Sequence, residues 1–132
     1  MKNLIIIANY NQQNEIEKYL SQILEHFSKE NVVVVDDGST DGSNQIAERM
    51  GFHLIQHPKN LGIGAAIRSG LKFAIENKFD GILISSSNGK MVPAQFPGLL
   101  EILDQGKYLY IQGSRFMEQG ESDSLPLFRK CD

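Results

Sequence analysis

Val32-Val33-Val34-Val35-Asp36-Asp37-Gly38-Ser39-Thr40-Asp41-Gly42-Ser43 is the stretch from which the fold can be read. A run of β-branched residues without polar alternation suits a strand covered on both faces, the usual situation in a parallel sheet. The run ends in two adjacent carboxylates. Gly38 and Ser39 then favour a tight turn, and Asp41 or Ser43 can cap a helix that continues to Met50. Strand, acidic turn and helix make one βα unit, and the same grammar extends to either side. Upstream, the apolar run Leu4 to Ala8 predicts a first strand, and Ile16, Tyr19, Leu20, Ile23, Leu24 and Phe27 recur at helical spacing over Asn14 to Ser28. Downstream, strands are predicted at Phe52 to Ile55, Gly81 to Ile84 and Tyr108 to Ile111. Ala66, Ile67, Gly70, Leu71, Ala74 and Ile75 mark a helix from Gly64 to Asn77, and Phe96, Leu99, Leu100 and Leu103 mark another after Pro93. The order βαβαβαβαβ predicts an α/β fold, a Rossmann-like three-layer sandwich with a mostly parallel sheet and right-handed crossovers.

Composition narrows the function classes. The chain has 132 residues, enough for one domain with a real core and too few for two. With 13 basic and 16 acidic side chains the net charge is −3, which leaves no basic footprint for nucleic acid. Cys131 is the lone cysteine, so no internal disulfide framework exists, and a reducing, cytoplasmic setting is expected. The apolar run at Leu4 is broken by Asn9-Tyr10-Asn11, too early for a signal peptide or a membrane span. No internal repeat and no low-complexity linker is evident.

In open α/β sheets, ligands bind beyond the carboxyl ends of the strands, where the strand order reverses. The segments to inspect are therefore Asn9 to Gln13, Asp36 to Asp41, His57 to Gly64, Ser85 to Lys90 and Gln112 to Arg115. Asp36 and Asp37 can accept hydrogen bonds from a base or a ribose; equally, they can serve only a turn and a helix cap. Gly62-Ile63-Gly64 places free backbone N–H groups at a helix start, where an anion can sit. It is not the dinucleotide fingerprint, because it follows the third strand and lacks the third glycine. Other chemistries fit less well. The residues around Ser87 lack the leading glycine of a hydrolase nucleophile turn. His53 and His57 on an extended segment stand about 13 Å apart, too far for a zinc pair. A phospho-receiver needs its acidic pair after the first strand, where Asn9-Tyr10-Asn11 stands.

Taken in order, these segments resemble the family-two glycosyltransferases of the GT-A fold, in particular the branch that includes dolichyl-phosphate mannose synthase and other polyprenyl-phosphate glycosyltransferases. Ala8-Asn9-Tyr10-Asn11-Gln12 stands where that family has Pro-x-Tyr-Asn-Glu. Val34 to Asp41 is similar to its nucleotide segment, Asn60-Leu61-Gly62 through Gly70 to its Asn-x-Gly helix, and Gln112-Gly113-Ser114-Arg115-Phe116 to its Gly-Ser-Arg-Tyr/Phe strand end. Leu125 to Lys130 is similar to the segment that follows in lipid-phosphate members. The resemblance implies sugar transfer from a UDP- or GDP-linked donor, with inversion, to an acceptor such as a polyprenyl phosphate or a cell-surface glycan precursor. It also implies that Ala8, Asn9, Tyr10, Asn11, Asp36, Asp37, Gly38, Ser39, Asn60, Gly62, Gly64, Ser86 and Ser87 line the nucleotide-sugar site. Of these, Asn9, Tyr10, Asp36 and Asp37 would hold the base and ribose, while Arg68 and Arg115 would lie near phosphate.

One segment departs from the family. After the fourth strand the family carries Asp-x-Asp-Gly-Gln, whose carboxylates hold a divalent cation, magnesium or manganese, at the diphosphate. Here the residues are Ser86-Ser87-Asn88-Gly89-Lys90. Both carboxylates are missing, so no metal ligand is assigned. Lys90 can set an ammonium against the diphosphate in the metal's place, with Asn88 and Arg115 completing the expected catalytic set. Expected boundaries are a nucleotide-sugar-binding subdomain over 1–115 and the start of an acceptor-side region over 116–132, loosely anchored and cut short. Such a domain would leave apolar surface for self-association and would work at the inner face of a membrane. The alternative expectation is a donor-binding module without turnover.

Overall fold

The computed structural model describes residues 2–90, 92–104, 108–112 and 128–129. A six-stranded sheet is built from β1 (Asn3–Asn9), β2 (Val32–Asp36), β3 (His53–Gln56), β4 (Gly81–Ser86), β5 (Tyr108–Gln112) and β6 (Phe128–Arg129) in the order β3-β2-β1-β4-β5-β6. The first five strands run parallel, and β6 closes the far edge antiparallel to β5. Its two residues, Phe128 and Arg129, lie in the Leu125 to Lys130 segment, for which no strand is expected. Helices α1 (Ile16–Leu24), α2 (Ser43–Arg49), α3 (Ile63–Glu76) and α4 (Phe96–Asp104) connect the strands.

Strand alternation sends the central strand's side chains into two cores. Ile5 and Ile7 pack with Ile16, Tyr19, Leu20 and Ile23 of α1, Ala47 of α2 and Phe96 of α4. Leu4, Ile6 and Ala8 pack on the other face with Ala66 and Ala74 of α3. Helices thus cover both faces, as the unbroken apolar runs of β1 and β2 require. The approach of α3 to β1 depends on Gly70, where an added Cβ would lie 2.6 Å from Ile6 Cδ1.

Element ends differ from the periodicity. The pattern of α1 extends to Phe27, but the helix stops at Leu24, and the N–H groups of Glu25 and His26 turn back to Gln22 and Ile23 carbonyls in a tighter turn. Phe52, placed in the third strand by its apolarity, is a buried residue just before β3. Gly42, not a side chain, occupies the N-cap of α2. Asp41 still serves that helix, because its Oδ1 accepts from both the N–H and the hydroxyl of Ser43.

Because β1 is flanked by β2 on one side and β4 on the other, the order reverses between β1 and β4. The exits of these two strands, Asn9 and Ser86, open a crevice at that point.

Candidate functional site

At the crevice a cleft of about 310 Å³ is lined by Ala8, Asn9, Tyr10, Gln12, Asp37, Asn60, Gly62, Ile63, Ala66 and Ser86. Seven of the expected binding residues meet here, from three strand exits and the start of α3. Three lining residues had no sequence signal as ligands. Gln12 closes the Ala8 to Gln12 segment but is not among the expected binding residues, and its carbonyl starts α1 by accepting from Glu15 and Ile16. Ala66 reads as helix core by its periodicity, and Ile63, between the two glycines at the expected helix start, is exposed beside the cleft. Only the placement of the helix start at the switch point identifies them.

The two carboxylates of the acidic turn face different surroundings. Asp36 is buried; its Oδ1 accepts from Asn9 Nδ2 at 2.8 Å and Ser39 Oγ at 2.6 Å, and its Oδ2 from Ser39 N–H at 2.9 Å. It faces a separate hollow of about 460 Å³, shared with Gly38, Ser39, Thr40, Gln56, His57 and Pro58. Asp37 turns to the cleft. Its Oδ1 accepts from His57 Nδ1 at 2.7 Å and Leu61 N–H at 2.9 Å, and its Oδ2 from Gly62 N–H at 2.9 Å. Burial raises its pKa, but the bonds from His57, Leu61 and Gly62 outweigh that and hold the carboxyl below the usual range. Two of the N–H groups ahead of α3 therefore already face an anion, and it is Asp37. An ionised carboxylate offers about four acceptor positions, so Asp37 keeps capacity on Oδ2 for a hydroxyl or N–H from the cleft.

Gly38 makes this turn sterically feasible. Its φ is +82°, and a Cβ there would stand 2.4 Å from Lys59 C and 2.6 Å from Asn60 N. The acidic turn and the 59–62 loop are in backbone contact only because this side chain is missing.

Asn9 ties the strand exits together. Besides Asp36, its Nδ2 reaches Ser43 Oγ at 2.9 Å and Ser39 Oγ at 3.3 Å, and its Oδ1 accepts from the buried Ser87 hydroxyl at 2.6 Å. Ser87 N–H continues the connection to the Ala8 carbonyl. Asn11, with φ of +51°, clips the first loop to the acidic turn: its N–H donates to Ser39 Oγ and its Oδ1 accepts from Thr40 N–H.

The other expected residues stand outside the cleft walls: Asp36, Gly38 and Ser39 line the second hollow, Asn11 and Ser87 are engaged in the bonds above, and Gly64, Arg68, Asn88 and Lys90 line neither. Gly64 lies in the exposed first turn of α3, with Arg68 Nη1 3.7 Å from where its Cβ would be, so the Arg68 guanidinium reaches back towards the helix start. Asn88 accepts the N–H of Lys90 on its Oδ1 at 3.0 Å, closing the loop after β4 and leaving Lys90 exposed. Arg115 lies outside the described residues.

The loop after β4 does not suit a hard divalent cation. Its side-chain donors are the hydroxyls of Ser86 and Ser87 and the amide of Asn88, and the Ser87 hydroxyl and Asn88 oxygen are already engaged within the fold. Among the described residues, no group of three or more His, Cys, Asp or Glu side chains could hold a metal ion. No helix of the described residues is long and apolar enough to cross a membrane.

Residues 4–130 match the family described as "Glycosyl transferase family 2". Among curated proteins, the polyprenol monophosphomannose synthase of Mycolicibacterium smegmatis is 25% identical, over 95% of this chain and 49% of its own length. The undecaprenyl-phosphate mannosyltransferase of Micrococcus luteus is 28% identical, over 98% of this chain and 55% of its own. An uncharacterized protein of Methanocaldococcus jannaschii is 31% identical, over 96% of this chain and 51% of its own. The chain thus spans about half the length of these relatives. No solved structure gives a significant match.

Proposed function

Because the chain belongs to glycosyl transferase family 2, we propose that it forms the donor-binding half of an enzyme that moves a sugar from a nucleoside-diphosphate donor to a polyprenyl phosphate. The single observation that carries this reading is the cleft at the strand-order reversal, with Asp37 on its wall retaining capacity to accept from a ligand. Its chemistry fits a nucleoside: Tyr10 offers a ring, and Asp37 and Asn60 offer polar groups for base or ribose. The acceptor assignment is supported by the names of the mycobacterial and micrococcal relatives.

In the proposed reaction an oxygen of the acceptor phosphate attacks the anomeric carbon from the face opposite the leaving group. The bond from that carbon to the diphosphate breaks, and the nucleoside diphosphate departs with the electron pair. A phosphate acceptor is already anionic at neutral pH, so the step needs no strong general base. Negative charge that builds on the diphosphate is met by Lys90 at the exit of β4, with Asn88 shaping the loop and Arg68 and Arg115 serving phosphate. Work at a membrane surface follows from a lipid acceptor.

A second reading is favoured by the loop after β4: without paired carboxylates, the chain would bind donor and not turn it over. Thermal unfolding with UDP, GDP and their sugars tests the common part. A nucleotide present at a hundred times its dissociation constant adds about 2.7 kcal/mol of stability. No shift with any of them would overturn both readings. Transfer of radiolabelled sugar to polyprenyl phosphate separates them, since binding without product supports the second.

A further inference from the structure

Asp37 owes its place to a residue the reaction above does not use. His57 lies at the exit of β3, and its ring spans 2.7 Å from Nδ1 to Asp37 Oδ1 and 2.8 Å from Nε2 to Ser69 Oγ on α3. The ring thereby joins the ends of two strands to the helix that borders the cleft. An ionised carboxylate only accepts, so the ring donates from Nδ1, and in the neutral form Nε2 accepts the Ser69 hydroxyl. His57 is also anchored by its own N–H, which donates to the Asp36 carbonyl at 2.8 Å.

Such a row of carboxylate, imidazole and hydroxyl could suggest a nucleophilic serine. Ser69 stands in the middle of α3, however, where the surrounding N–H groups are committed to the helix and leave no donors for an oxyanion. The His57 side chain is only 8% exposed and does not line the cleft, so it reaches a ligand only through Asp37.

We propose that His57 is a positioning residue for nucleotide recognition, holding Asp37 Oδ1 so that Oδ2 serves the cleft and the 59–62 loop stays closed against the acidic turn. This role rests on the reading of the cleft as the nucleotide site. The Leu61 and Gly62 N–H groups bind the same carboxylate, so a change at His57 is transmitted to the loop that carries Asn60 and Gly62 into the cleft wall.

Two isosteric variants of the full chain separate positioning from general stability. His57→Asn keeps an N–H near the Nδ1 position and loses the Ser69 bond; His57→Gln does the reverse. UDP and GDP binding is measured by titration, with thermal unfolding and hydrogen exchange at the Leu61 and Gly62 amides measured on the free protein. His57→Asn, which loses the Ser69 bond, is expected to bind within about threefold of wild type, whereas His57→Gln loses about tenfold in affinity and exchanges those two amides faster. If His57→Gln fails to fold, Ser69→Ala, which loosens the ring and leaves all three partners of Asp37 in place, is expected to lose about threefold. Equal affinities for wild type and His57→Gln, or for wild type and Ser69→Ala in its place, would overturn the role. So would losses in both His57 variants that simply track their thermal midpoints. Failure of the wild type to bind either nucleotide overturns the donor-site reading itself and is thereby distinguished from failure of the His57 role alone.

Discussion

Ser87 donates its hydroxyl to Asn9 Oδ1 across 2.6 Å, and by that bond between two buried side chains the exit of β4 is fastened to the exit of β1. Asn9 also donates to Asp36 and Ser43, so its removal takes a bond from three polar groups at once and leaves the Ser87 hydroxyl without its short partner. Asn9→Ala is expected to cost about 2–4 kcal/mol in urea unfolding, from unpaired buried groups more than from lost volume. Asn9→Asp sets a second carboxylate against Asp36 and should be worse near neutral pH, with part of the loss recovered in acid.

Gly38→Ala tests the contact between the acidic turn and the 59–62 loop. The new Cβ would meet Lys59 C at 2.4 Å in a residue with φ of +82°. Positive φ costs a non-glycine residue about 1–2 kcal/mol, and forced displacement of backbone adds about 1–3 kcal/mol. Gly42→Ala is the control: its φ is +87°, but the nearest atom is 4.0 Å away. It should lose only the first of these amounts and keep its affinity for UDP and GDP, whereas Gly38→Ala should lose both stability and binding.

Acid stability depends on Asp37 and Asp41. Both carboxyls lie below the ordinary 3.8. Burial raises each, but His57, Leu61 and Gly62 outweigh it at Asp37, as do Ser43 and the Gln13 N–H at Asp41. A depressed folded-state value means that the stabilisation is complete above the unfolded value and is lost as pH falls through the folded one. Asp37→Asn and Asp41→Asn should therefore be less stable than wild type at about pH 7, with the gap closing towards about pH 2. A gap independent of pH would contradict the assignment.

Tyr19 titrates at the alkaline end. Burial pushes its hydroxyl up from 10.0 to about 12, against a smaller lowering from Ser85, whose Oγ is 2.6 Å away. Wild-type stability should fall as pH rises from 10.0 to about 12, because only the unfolded tyrosine ionises freely in that window. Tyr19→Phe should abolish that slope and cost about 1–2 kcal/mol at neutral pH by leaving Ser85 unpaired.

Lys90→Ala should weaken UDP- or GDP-sugar binding about tenfold, more than any change in the thermal midpoint of the free protein accounts for. The wild type should bind equally well with and without chelator. Loss of binding in chelator would show that a metal serves the diphosphate after all.

The parallel strands were legible because each is an apolar run bounded by turn residues, and β2 read from Val32 to Val35 lacks only Asp36. Helix ends were less legible. The last turn of α1 keeps the apolar period through Phe27 while its hydrogen bonds have changed, and periodicity records packing rather than bonding. At the site, the sequence could bring Asp36 and Asp37 to a strand exit but could not divide their surroundings, since that division depends on Asn9 and His57. His57 gave no signal beyond standing too far from His53 for a zinc pair, because Asp37 and Ser69 become its neighbours only once β2, β3 and α3 are assembled. The two residues of β6 carry too short a pattern to register.

The place of β1 between β2 and β4 also sets an order of events during synthesis. Its pairing with β2 can form once residue 36 has left the ribosome, but its other edge waits for β4, which ends at residue 86. At ordinary elongation rates that interval lasts roughly 3 to 10 s. Throughout it, an apolar strand with one unpaired edge is open to other nascent chains. The topology that creates the crevice therefore also leaves an apolar strand edge unpaired during synthesis, and amino acid changes that leave the finished fold intact could still lower its yield.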